Sequence, residues 1–118
     1  MFGFFRKLIN KKNEDSPEYR LDFAQRISNK KIKYLSERVT DIETGDVLDT
    51  IIGKDGYFHI NQDNELVVYC DGKDKFRAYI PNLKAYEFLS LEGVVMESFD
   101  LVQKRDRQII AYYKYWRN

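Results

Sequence analysis

One histidine, His59, and one cysteine, Cys70, are all that this chain of 118 residues has of the two most versatile catalytic side chains. A general base needs a group that titrates near neutral pH, a nucleophile needs such a base within reach, and a catalytic metal usually needs three protein ligands. With so few candidates we predict no catalytic residue, no metal site and no cofactor.

The position of each of these two residues in the strand alternation predicts that it takes no part in chemistry. His59 alternates with Phe58 and Ile60, which predicts an outward-facing strand residue. Cys70 shares its phase with Leu66 and Val68, which predicts a buried side chain that behaves as a small hydrophobe. A single thiol forms no internal disulfide, and a reducing cytoplasm fits it best.

Carboxylates offer the remaining route to an enzyme. Glu87, Glu92 and Glu97 could form an acid pair of the kind that hydrolyses sugars, and a carboxylate-type hydrolase is the less favoured alternative. The segment Gly53–Gly56 lacks the Gly-Lys-Ser/Thr signature and the following helix of a phosphate loop. The acids between residues 41 and 49 do not fit the calcium-loop spacing.

Size and composition predict one domain. The chain is 43% hydrophobic, 33% charged and 15% aromatic, and the high aromatic content favours strands. Residues 1–40 hold ten basic and five acidic residues, whereas residues 41–118 hold ten and fourteen. Since the part that looks folded is acidic, we expect no nucleic-acid partner.

Residues 1–12 form an amphipathic basic segment that precedes a single α+β domain over residues 13–118. We predict that this segment binds an anionic lipid surface or a protein partner, with a cytoplasmic location that includes the inner face of the membrane. A frayed terminus, or an apolar plug against the domain or a sister subunit, is the alternative. The residues predicted to bind are Phe2, Phe4, Phe5, Arg6, Lys7, Leu8, Lys11 and Lys12.

A helix is predicted over about residues 17–29. Asp15 and Ser16 supply capping oxygens, and Pro17 suits a first turn. An apolar stripe recurs at Tyr19, Phe23 and Ile27, and Ile32, Tyr34 and Leu35 would extend the helix in an alternative interpretation. Residues 40–56 are interpreted as turns around a short apolar run.

From Tyr57 onward the periodicity is two. A hairpin with Cys70 opposite Phe76 and Val68 opposite Ala78 leaves a three-residue loop at residues 72–74 and puts Tyr69 opposite Arg77. A half-exposed cross-strand pair is the simplest interpretation of that juxtaposition. The alternative is a candidate surface patch for recognition or self-association, formed by Tyr69, Arg77, Tyr79 and Trp116.

Further strands follow. We assign residues 83–91 to a strand rather than a helix, and place further strands at Val94–Met96, Phe99–Val102 and Ile109–Trp116 with a charged turn before the last. The last strand is apolar on both faces and should be central. The fold class is therefore α+β and mainly antiparallel β: one N-terminal helix with a strongly bent six- or seven-stranded sheet or small barrel.

Six short runs between residues 53 and 116 carry a resemblance: Gly53–Gly56, Glu65-Leu66, Phe76-Arg77, Leu83–Ala85, Ser90–Val94 and Ala111–Tyr115. With these runs the segment resembles a small family of uncharacterised bacterial proteins with a pleckstrin-homology-like or similar bent antiparallel sheet. It implies a domain that binds lipid head groups or peptides and has no catalytic residue.

Two functional expectations follow. The first is a non-enzymatic binding or scaffolding module, tethered weakly to a membrane surface or a protein through residues 1–12. The second is a soluble homo-oligomeric interaction domain with no membrane role.

Overall fold

The computed structural model of the chain describes residues 16–114. Its first element is helix α1, Pro17–Ile27, which begins where the capping signal predicts because the Ser16 hydroxyl accepts a hydrogen bond from the Tyr19 amide at 3.1 Å. The helix ends at Ile27, two residues earlier than predicted. The extension through Tyr34 and Leu35 is wrong, since both residues lie in the first strand.

Seven strands follow and form one antiparallel sheet, so the predicted fold class is confirmed. In spatial order the strands run β4-β3-β2-β1-β7-β6-β5, and β7 is therefore internal, as its double-sided apolar pattern predicts. A short 3-10 turn, Ile80–Asn82, joins β4 to β5. The strands are β1 Lys31–Thr40, β2 Val47–Ile60, β3 Glu65–Cys70, β4 Lys73–Tyr79, β5 Lys84–Glu87, β6 Gly93–Asp100 and β7 Arg105–Tyr113.

The sheet curls around α1. Phe23, Ala24 and Ile27 of the helix join one core with apolar side chains from the inner face of the strands. The outer edge of β4 meets the end of β6, where the Leu101 amide donates to the Arg77 carbonyl at 2.8 Å and the Arg77 amide donates to Asp100 Oδ1 at 3.0 Å. The curled sheet is thus partly closed on its β4 side.

The expectation of turns between residues 40 and 56 is correct only for residues 41–46. The segment Gly53–Gly56 lies within the continuous strand β2, which bends there, with a register shift beside Leu35 and a left-handed φ of 52° at Asp55. A Cβ on Gly53 would lie 2.8 Å from the Cβ of Cys70, and one on Gly56 would overlap the Tyr69 carbonyl. These glycines permit close approach of β3 rather than a chain reversal.

The predicted register of the β3–β4 hairpin is wrong by two residues over Glu65–Val68 and by three beside the turn, because a β-bulge lies between Val68 and Tyr69. Val68 lies opposite Phe76, and the loop consists of two residues, Asp71 and Gly72, whose φ angles are 56° and 81°. An Asp-Gly pair with both residues in the left-handed region is typical of a tight type I′ turn, which outweighs the longer loop. Over Glu65–Val68 the shift is even, so these side chains keep their predicted faces.

The strand assignment for residues 83–91 is confirmed in its first half, where β5 lies. The separate strand predicted at Phe99–Val102 is wrong, because β6 continues to Asp100 and residues 101–104 form the turn. The Asp100 carboxylate explains the position of this turn, since it accepts hydrogen bonds from the amides of Val102 and Gln103 at 3.0 Å each.

Candidate functional site: a cleft between helix α1 and the β5 edge

The two versatile side chains lie apart from each other and have the predicted environments. His59 is exposed on the outer face of β2, and its ring lies 6.0 Å from that of Tyr57. Cys70 is fully buried against Gly53 and Gly56. Burial, and then the nearby charge of Asp71, raises the pKa of the Cys70 thiol to about 11, so the reactive thiolate is disfavoured at neutral pH.

The three carboxylates each have a separate environment. Glu87 accepts a hydrogen bond from the Tyr113 hydroxyl at 2.8 Å and lies 3.5 Å from the Arg26 guanidinium. Glu97 lies opposite Lys84 and accepts from the amide side chain of Gln108. Glu87 and Glu97 are three ladder positions apart, which is about 10 Å along the strands. Their side chains lie on opposite faces of the sheet. Glu92 is exposed in the turn before β6.

Within residues 16–114, no group of three His, Cys, Asp or Glu side chains is arranged to hold a metal ion. Among the same residues, no helix has the length and apolarity needed to span a membrane.

Tyr69, Arg77 and Tyr79 of the predicted patch lie on one face of the β3–β4 hairpin, at different positions along it. Arg77 faces Val67 rather than Tyr69, and its Nε lies 3.1 Å from the Glu65 carboxylate. Tyr79 is opposite Glu65 and 45% exposed, whereas Tyr69 is near the turn, about 13 Å further along the ladder. Trp116 and the residues predicted to bind within 1–12 lie outside the described residues.

A cleft of about 430 Å³ opens between α1 and the edge strand β5. One wall is the helix and the other is strand β5, each of whose four residues lines the cleft. The volume is within the usual range of about 300–1,000 Å³ for ligand sites. The lining residues are Tyr19, Arg20, Phe23, Arg26, Leu83, Lys84, Ala85, Tyr86, Glu87 and Glu97.

The cleft exposes the free backbone edge of β5. The Phe88 amide donates to the Gly93 carbonyl, and β5 and β6 then alternate between bonded and non-bonded pairs. By this alternation, the N–H and C=O groups of Ala85 and Glu87 point away from β6. Among the described residues, no backbone hydrogen bond joins these groups to another segment.

The opposite edge of the sheet differs. On β4, the Lys75 carbonyl accepts from the Arg107 guanidinium at 2.9 Å, and both backbone groups of Arg77 are bonded to residues 100 and 101. The edge at β4 is therefore occupied along this stretch, whereas within residues 16–114 the outer side of β5 has no neighbouring strand.

Both walls of the cleft are held in place. Arg20 donates to the Pro81 carbonyl, which ties the helix to the turn before β5. The Arg26 guanidinium lies 4.8 Å from the centre of the Phe23 ring and also faces Glu87. Burial, and then the hydrogen bond to Glu87, raises the pKa of Tyr113, so its hydroxyl remains a donor to that carboxylate.

Comparison of this chain with protein-family models, with curated proteins and with solved structures finds no match.

Proposed function

We propose that this protein is a non-enzymatic binding module that takes an extended peptide segment of a partner protein into the cleft between α1 and β5. The observation that carries the proposal is the free backbone edge at Ala85 and Glu87, which faces a cleft with a partly apolar wall. A peptide lying antiparallel or parallel to β5 would add an eighth strand to the sheet.

Backbone contacts and side-chain contacts would have different roles. Two N–H donors and two C=O acceptors would bind the peptide backbone whatever its sequence, while Tyr19, Phe23 and Leu83 would receive an apolar side chain. The basic residues Arg26 and Lys84 and the acidic residue Glu97 border this apolar wall and would set the preference for flanking charges.

The test starts with a random linear peptide library displayed on phage and selected against the full chain. A selected peptide is then titrated into isotope-labelled protein. We expect the largest amide shifts at Ala85 and Glu87 of β5 and along the α1 wall. Failure to select any peptide above background, or shifts confined to another surface, would overturn the proposal.

A proline variant tests the backbone contacts directly. Ala85→Pro removes one outward N–H without removing a hydrogen bond to β6, and we expect about tenfold weaker peptide binding. Val47→Pro is the matched control, because Val47 also begins an unpaired edge but is remote from the cleft. Equal affinity of Ala85→Pro and wild type, with both folded by circular dichroism, would contradict binding through the β5 edge.

The proposal includes a cytoplasmic location, with residues 1–12 tethering the module to the inner membrane face or to a protein. Its support is the sequence, where four basic residues and no acidic residue accompany the apolar side chains of this segment.

A further inference from the structure

The first half of β2 has a second free edge, independent of the cleft. β3 pairs with β2 only over Gly56–Ile60, so on that side residues 47–55 have no neighbouring strand among the described residues. Apolar side chains in this stretch are well exposed: Val47 by 57%, Leu48 by 66% and Ile51 by 56%. A long exposed apolar edge is unusual in a protein that stays monomeric.

The backbone groups available on this edge follow from the β1–β2 ladder. The Asp41 amide donates to the Asp46 carbonyl, and the bonded pairs then alternate along the hairpin. The N–H and C=O groups of Val47, Asp49 and Ile51 therefore point away from β1. The stretch ends at Lys54, whose amide donates to the Asp71 carboxylate at 3.3 Å.

We propose that two copies of this chain pair through this edge, with β2 antiparallel to β2 of the second copy and a two-fold axis at Thr50. In this register Asp49 of each copy lies opposite Ile51 of the other, and these residues provide the inter-chain hydrogen bonds. Thr50 faces its own counterpart, and Leu48 lies opposite Ile52.

Charge favours this register over the neighbouring axis at Asp49. An axis at Asp49 would place two carboxylates directly opposite each other, whereas the axis at Thr50 avoids like charges and brings Asp46 near Lys54 at both ends. In the register with the axis at Thr50, Asp49 faces the apolar Ile51 while Arg38 of its own chain donates to its two carboxylate oxygens at 2.8 and 2.9 Å. The edge is therefore complementary to itself, and a second copy is its natural occupant.

Charge substitution at the axis is the sharpest test. Thr50→Lys puts like charges opposite each other, and so does Thr50→Glu, so each variant alone should dimerise at least tenfold more weakly than wild type in sedimentation equilibrium. An equimolar mixture of the two should restore the dimer. Thr40→Lys, an exposed threonine on β1 in the same arm, is the matched control and should match wild type.

Cysteine cross-linking tests the register. Across the proposed axis the Thr50 Cβ atoms are about 4.5–5.5 Å apart, close to the spacing of about 3.5–4.5 Å in a disulfide. Thr50→Cys should form a covalent dimer on mild oxidation, and Thr40→Cys should not. Cys70 is buried and should not form a cross-link in either variant.

A wild type that stays monomeric from micromolar to millimolar concentration would overturn the proposal. So would a dimer that is unaffected by Thr50→Lys, or that cross-links equally through Thr40→Cys. None of these outcomes depends on peptide binding at β5.

Discussion

Arg107 is the most connected charged residue in the described part of the chain. Its guanidinium bonds the Glu37 carboxylate at 2.7 Å, the Asp100 carboxylate at 2.8 Å and the Lys75 carbonyl at 2.9 Å, and all three charged side chains are buried. These bonds join β1, β4, β6 and β7 where the sheet partly closes. A buried charge is tolerated there because its donors are matched by acceptors.

We expect Glu37→Gln to destabilise the protein by about 2–3 kcal/mol at pH 7, because it removes charge-assisted hydrogen bonds to a buried guanidinium. Asp49→Asn, which breaks an exposed ion pair with Arg38, is the control and should cost about 0–1 kcal/mol. Urea unfolding measures both. Equal costs would contradict the structural importance of the buried cluster.

The environment of Glu37 also predicts how stability depends on pH. The hydrogen bond from Arg107 holds the pKa of Glu37 below its ordinary value of 4.5, against the opposing effect of burial. A lowered pKa in the folded state stabilises the protein above pH 4.5, and this stabilisation is lost as the pH falls through the folded-state pKa. Wild type should therefore lose stability more steeply on acidification than Glu37→Gln, and identical slopes would contradict this origin.

The Cys70 thiol should be unreactive in the folded protein. Because the thiol is buried and its pKa is about 11, we expect negligible labelling by a thiol reagent at pH 8 in the folded protein and complete labelling in urea. The exposed cysteine of Thr40→Cys is the positive control. The raised pKa also predicts a loss of stability as the pH rises from 9 towards 11. Rapid labelling of native wild type would show that the residue is accessible.

At the scale of elements, the period-two pattern determines which face each side chain occupies but not how the strands align. It places Leu66, Val68 and Cys70 on the core face correctly, although the hairpin register is shifted by two residues up to Val68 and by three after the bulge that follows it. Glycine misleads for a related reason. Gly53 and Gly56 match a turn signal, but here the missing Cβ serves the approach of Cys70, a contact between strands that local sequence does not reveal.

The bend in β2 can be tested through Gly56. A Cβ at this position would overlap the Tyr69 backbone, which cannot move away as a flexible side chain can, so Gly56→Ala should cost about 2–3 kcal/mol. Lys54→Ala, an exposed change in the same bend, should stay within about 0.5 kcal/mol of wild type. Comparable stability of the two variants in urea unfolding would contradict the close approach of β3.

The cleft depends on strand order, and this explains why the sequence does not predict it. Pro81 and the short strand after it mark β5 as a separate element, but nothing local indicates that β5 lies at the edge beside α1. Only the complete order of strands leaves the backbone of Ala85 and Glu87 without a neighbour among the described residues.

For the whole molecule, three edge segments of the sheet differ in what lies beside them. The β4 edge is bonded to the end of β6, the β5 edge opens into a cleft, and the first half of β2 extends as part of a two-stranded arm. The proposed peptide binding and self-pairing would use separate regions of one sheet, so a dimer would present two clefts to partners. Such a molecule fits a scaffolding role better than either surface does alone.

The basic segment 1–12 would add a third contact, this one with the membrane. Its strength can be tested by removing basic charges from the segment. At about 1 kcal/mol for each basic residue near an anionic surface, removing the charges of Lys11 and Lys12 should weaken binding by about 2 kcal/mol, or about 30-fold. We expect wild type to cosediment with phosphatidylserine-containing vesicles at low salt, and Lys11→Ala/Lys12→Ala to cosediment far less. Neutral phosphatidylcholine vesicles should retain neither protein.

Lys31→Ala/Lys33→Ala is the matched control, because it removes the same number of charges from exposed positions on β1. If general charge attraction caused the binding, this variant would lose as much as Lys11→Ala/Lys12→Ala. Retention of its binding would assign the effect to the segment 1–12, since the folded part beyond residue 40 has more acidic than basic residues and should be repelled by the vesicle. Wild type and a variant without residues 1–12 that stay equally in the supernatant would eliminate the tether and leave the module to act through its protein surfaces.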